Sequence, residues 1–144
     1  MPTSTTFLPD VNVWLALASR RHVHASICST WAKSIQADEI VFCRVTQMGL
    51  LRLLTHESVM GGDVLSSREA WRVYRTMLAD ERIQFAPEPF ALEEEWRKIK
   101  MQDRAAPKIW TDAYLIAFAR AAGMRLVTLD RGVASMEEKA LLLR

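Results

Sequence analysis

Residues 110–130 read WTDAYLIAFARAAGMRLVTLD. The first part is apolar nearly all round, which predicts a buried helix ending at Gly123. RLVTLD then predicts a strand. Asp112 falls in the first turn of the helix and Asp130 closes the strand. Two acids thus stand at the margins of a segment that otherwise reads as core.

Outward from this pair, strand and helix patterns alternate. TTFLPDV reads as a strand running into the helix VNVWLALA. Pro9 sits at the strand's end, where its missing donor costs least. HASICSTWAKSIQA carries a helical stripe of Ala25, Ile27, Cys28, Trp31, Ala32 and Ile35. EIVFC predicts a buried strand, and a helix capped by Thr46 follows with Leu50, Leu51, Leu53 and Leu54. ESVMGGDVLS predicts a loop, and SSREAWRVYRTMLAD an amphipathic helix capped by Ser66 or Ser67. IQFAP predicts a short strand, FALEEEWRKIKMQDRA a charged helix stopped by Pro107, and ALLL a last strand. Such alternation predicts a three-layer α/β sandwich with a central parallel sheet, one domain over residues 1–144.

Composition bounds the function classes. Half of the 144 residues are apolar and 25% charged, the balance of a globular domain. Arg120 interrupts the longest apolar run before it reaches the length of a membrane span. MPTSTTFLPD lacks a basic region followed by an apolar core, so the sequence predicts no export and a cytoplasmic protein. Cys28 and Cys43 then belong to a reducing compartment. A net charge of +2 permits an acidic partner without specifying one.

In a parallel sheet, ligands bind at the carboxyl ends of the strands. Asp10 closes the first strand and Asp130 a later one, while Asp112 opens a helix whose positive end favours its ionised form. Each of these residues is also an ordinary cap or turn former. All three reaching one rim is a different matter. Clustered carboxylates repel unless a cation holds them, and oxygen ligands suit a hard divalent ion that assists displacement at phosphate.

At these residues the chain resembles PIN-domain proteins of the branch that supplies VapC-type toxins of bacterial toxin–antitoxin pairs. The likeness runs through FLPDVNVWLALA, HVHASICSTW, RVTQMGLLRLLTH, VMGGDVLSSREAW and WTDAYLIAFARAAGMRLVTLDRG, most specifically through the first and last. It implies metal-dependent endonucleolytic cleavage of RNA, commonly structured RNA such as transfer or ribosomal RNA. It further implies Mg2+ or Mn2+ on Asp10, Asp112 and Asp130, with Asn12 and Thr111 holding the carboxylates. A cognate antitoxin and a homodimer are implied as well. The chain departs from the pattern at Gln47, where many relatives carry glutamate, and at Arg131, Gly132 and Val133, where some carry another acid or asparagine. Three carboxylates balance one divalent ion and half of a second, so one well-held ion is expected. A second would join only with an RNA phosphate.

The remaining signals are weaker. His22, His24 and Cys28 lack the fourth ligand zinc requires and read as capping or packing residues. Arg20 and Arg21 are the preferred contacts to an RNA backbone among Arg44, Arg52, Lys98, Lys100, Arg104 and Lys108. Trp14, Trp31, Trp71, Trp96 and Trp110 read as core or dimer-interface residues. Glu93, Glu94 and Glu95 read as an exposed helix start. The chief alternative function is a catalytically weakened PIN-like domain that binds RNA or a partner, with Gln47 its support. A phosphoacceptor domain would want paired acids after the first strand and a lysine on a late one; the pair is absent and RLVTLDRG offers no lysine. GxGxxG and GxxxxGK[ST] are both absent, which disfavours a nucleotide-binding enzyme.

Overall fold

The computed structural model describes residues 4–99 and 106–144. Strand β1 spans Thr6–Pro9, β2 Glu39–Phe42, β3 Ile83–Phe85, β4 Arg125–Thr128 and β5 Leu141–Leu142. They form one sheet in the order β3-β2-β1-β4-β5, every pair parallel. Phe7 lies beside Ile40 on one side and Arg125 on the other, and Pro9 stands opposite Val127. Pro9 is the last residue of its strand, and the Asp10 N–H takes over by donating to the Val127 carbonyl at 2.9 Å.

Eight helices surround the sheet among the described residues: α1 Val11–Ala18, α2 Ala25–Ser34, α3 Arg44–Leu54, α4 Glu57–Met60, α5 Ser67–Leu78, α6 Leu92–Lys98, α7 Ile109–Ala122 and α8 Arg131–Met136. Strand alternation divides the core in two. Phe7, Ile40, Phe42 and Val127 face Trp14, Leu50 and Tyr74 of α1, α3 and α5, with Cys28 of α2 in the same cluster. Leu8, Val41 and Leu126 face Leu92, Ile116, Phe118 and Val133 of α6, α7 and α8. This is the expected three-layer sandwich.

Local differences have physical causes. Helix α3 begins at Arg44 behind Cys43, not at Thr46. Thr46 instead sits in the first turn, where its hydroxyl accepts the Cys43 N–H at 3.0 Å. ESVMGGDV is not plain loop: it holds α4 and a 3-10 turn at Gly61–Asp63. Helix α6 spans only Leu92–Lys98, with Ala91 and an extended Ile99 as its caps, and residues 100–105 of the expected helix, with Lys100 and Arg104, lie outside the described residues. Helix α8 was not anticipated; its six residues are too few for a periodic signal, and Asp130 caps it. Helix α5 starts as expected at Ser66, whose hydroxyl accepts the Glu69 N–H while Glu69 Oε1 accepts the Ser66 N–H. Helix α7 ends at Gly123, whose φ of 68° is the left-handed cap expected there. No helix among the described residues is long and apolar enough to cross a membrane. Cys28 and Cys43 are buried and unpaired.

Candidate active site

Parallel strands deliver their carboxyl ends to one edge of the sheet, where Asp10 and Asp130 follow their strands and act by charge on Asp112 at the start of a helix. Asp10 joins β1 to α1. Its Oδ1 accepts the Val13 N–H at 3.1 Å, a helix cap, and its Oδ2 accepts the Thr128 hydroxyl at 2.5 Å. Asp130 joins β4 to α8, and its Oδ1 accepts the N–H groups of Gly132 at 2.7 Å and Val133 at 3.2 Å. Asp112 lies in the first turn of α7, behind Lys108.

The charges of the three acids act on one another. Burial pushes the Asp10 carboxyl above its ordinary value, and the charges of Asp112 and Asp130 push the same way. The bonds from Thr128 and Val13 oppose this shift. Asp112 is also raised, first by burial and then by Asp130, against the pull of Lys108. The helix end was expected to favour the Asp112 carboxylate. Desolvation and a neighbouring negative charge outweigh it.

The donor set is all oxygen. Capping occupies only Oδ1 of Asp130, and no hydrogen bond helps to hold the Asp112 carboxylate among the described residues. Free carboxylate oxygens beside like charges fit a hard divalent cation. The side chains do not close into a cage by themselves. Among the described residues, no group of three His, Cys, Asp or Glu stands at metal-holding spacing.

The residue that sequence reasoning missed is Thr128. It is fully buried as the last residue of β4. Its hydroxyl donates to Asp10 and accepts the Asp130 N–H at 3.0 Å, so one side chain ties two of the acids together. A lone hydroxyl in the apolar strand RLVTLD, two residues before the acid, was the available signal. Asn12 and Thr111, expected in this role, are exposed and make no hydrogen bond to the aspartates among the described residues.

Gln47 lies in the first turn of α3 and is buried, but its amide is committed elsewhere. Its Oε1 accepts Arg44 Nη1 at 2.7 Å. The Arg44 guanidinium lies 4.6 Å from the centre of the Phe85 ring.

Arg20 and Arg21 follow the far end of α1, about 12 Å of helix from Asp10. They line a hollow with Leu54 and Leu65, and Arg21 is 3.5 Å from Asp63. The structure therefore does not bring these two to the acidic edge. Lys108 stands nearer, close enough for its charge to act on Asp112. His22 Nδ1 accepts the His24 N–H at 3.0 Å, while burial and the nearby Asp10 push the Cys28 thiol up to about 11. Of the three, Cys28 is packed in the core, while His24 stands at the N-cap of α2 without a side-chain cap bond.

The PIN domain family model matches residues 7–139. Ribonuclease VapC41 of Mycobacterium tuberculosis is 47% identical over 128 residues, covering 85% of this chain and 88% of that protein. The crystal structure of M. tuberculosis VapC20, a sarcin–ricin loop cleaving toxin, matches with a TM-score of 0.70 at 13% identity, over 96% of this chain and 99% of that one. VapBC2 of Rickettsia felis, bound to a DNA fragment from its promoter, gives 0.70 at 9% identity, over 97% and 100%. At such identities the two structures speak for the fold.

Proposed function

The chain belongs to the PIN-domain family, and from that membership we propose that it is an endoribonuclease, the toxin of a type II toxin–antitoxin pair. It hydrolyses RNA phosphodiester bonds with Mg2+ or Mn2+ held by Asp10, Asp112 and Asp130. The observation that carries this reading is that carboxylates from three separate segments lie close enough for their charges to act on one another, adding to the burial that raises both Asp10 and Asp112. A domain with no use for a cation would gain by neutralising one of them.

When bound, the cation supplies positive charge at the phosphate and a more acidic water. The chain's own residues set the stage. Thr128 fixes Asp10 against the Asp130 backbone, so these acids meet the ion in one orientation. Helices α1 and α7 both begin at this edge, and their positive ends favour a phosphate. Lys108 adds a full charge beside Asp112. The named ribonuclease and the VapBC2 structure support RNA as substrate and an antitoxin as partner, and the same reading takes the cytoplasm as setting and a homodimer as working unit.

The alternative, a weakened domain that binds without cutting, rests on Gln47, whose amide is held by Arg44 and brings no charge to the acids. One experiment separates the two. Total bacterial RNA is incubated with Mn2+ and either wild type or Asp112→Asn, the fragment ends are mapped, and the thermal midpoint of each protein is read with and without Mn2+. Discrete cuts and a Mn2+-induced rise, both lost in the variant, are expected. A wild-type protein that is folded and antitoxin-free, yet neither cuts nor responds to Mn2+, would sink the catalytic reading.

A further inference from the structure

Tryptophans buried in a core need no further explanation, and Trp14, fully buried against Phe42, is one. Trp110 is different. It lies in the first turn of α7, two residues before Asp112, yet is 58% exposed. It is not a loose surface ring either. Trp96 meets it at right angles with centroids 6.2 Å apart, and Trp96 meets Tyr114 in the same way at 5.4 Å. Tyr114 is itself anchored, its hydroxyl donating to Glu88 at 2.8 Å. A single edge-to-face contact leaves at least one indole face uncovered by Trp96.

Residues two apart on a helix point about 200° from one another. The indole therefore leans away from the acids toward α6, while its backbone shares their turn. A strand of RNA with its phosphate at the acids would carry a flanking base past this ring. We propose that Trp110 is a stacking platform for a nucleobase flanking the cleaved bond, a positioning residue that sets the register of single-stranded RNA across the acidic edge. The proposal rests on the nuclease reading. Stacking is tolerant of base identity, because every base has a π face. Lys108, in the turn before, offers the adjoining phosphate a positive charge.

The test uses the full chain as wild type, Trp110→Ala and Trp110→Phe. Cleavage kinetics are measured in Mn2+ on a single-stranded RNA containing the mapped site. Intrinsic fluorescence is titrated with the same RNA in EDTA, and oligomeric mass is measured for each protein. Trp110→Ala should raise KM roughly 5- to 100-fold with kcat nearly unchanged, and Trp110→Phe should restore most of the loss. RNA should quench the wild-type protein more than Trp110→Phe. Cleavage with an unchanged KM in Trp110→Ala would overturn the platform and leave the nuclease standing. Quenching that depends on Trp110 without cleavage would do the reverse. A change of oligomeric mass in Trp110→Ala would assign the ring to a second copy of the chain and end the proposal.

Discussion

At the scale of single residues, the acids of the candidate site differ in what they give the fold. Asp10 and Asp130 each cap a helix, so each is partly a structural residue. Asp112 caps nothing, and desolvation and Asp130 raise its carboxyl above the ordinary value of 3.8. A raised carboxyl means the folded state holds its proton longer than the unfolded state. Stability of the cation-free protein therefore falls as pH climbs from the unfolded carboxylate value through the folded one. Above that window the full cost is present. Asp112→Asn removes this part of the fall, and in EDTA at neutral pH it should melt higher than wild type, by on the order of 2 °C. Thermal unfolding across a pH series reads this directly. A lower midpoint would mean that the carboxylate holds structure together and is not merely tolerated for function. The three acids were legible in the sequence because strand ends and a helix start can be read from apolar patterning. Thr128 was not, because a buried threonine in a strand signals nothing until its partner is known. Its partner Asp10 lies 118 residues away.

At the scale of elements, the strands and the longer helices are legible in the sequence and the shortest helices are not. Helix α7 and strand β4 were found because fourteen helical residues and a glycine stop leave little choice of period. Helices α4 and α8, with four and six residues, are too short to show a period and were missed. Arg20 and Arg21 were placed beside the rim from sequence proximity to α1, which ignores that a helix carries its two ends apart. How α1 is seated was also beyond the sequence. Gly49 of α3 lies under Val11, and a Cβ there would come within 2.6 Å of Val11 Cγ2. Val11 opens α1 directly after Asp10, so pressure at Gly49 reaches the site. Gly49→Ala gains helix propensity but overpacks this crossing, for a net loss of about 1 kcal/mol in urea unfolding, with weaker Mn2+ binding. Adding Val11→Ala removes the clash, so the double variant should recover more than the two single effects summed allow. Additive losses would show that the crossing has room to spare.

At the scale of the whole molecule, the candidate site belongs to neither layer alone. Asp10 leads into α1 on one face of the sheet, Asp112 opens α7 on the other, and Asp130 follows strand β4 between them. Thr128 links the first and last of these through the sheet itself. The two hydrophobic clusters meet along the same strands, with Phe7 facing one and Leu8 the other. Loosening either cluster should therefore disturb the site and the opposite layer together. Phe118 of α7 is fully buried in the cluster opposite Trp14, and Phe118→Ala should cost about 3–5 kcal/mol. If the layers are coupled through the sheet, urea curves of this variant from far-UV circular dichroism, tryptophan fluorescence and Mn2+ binding will share one midpoint, shifted down from wild type. If instead Mn2+ binding is lost at lower urea than secondary structure, the layer carrying α7 opens on its own. The acids would then be held together by that layer's docking and not by the sheet.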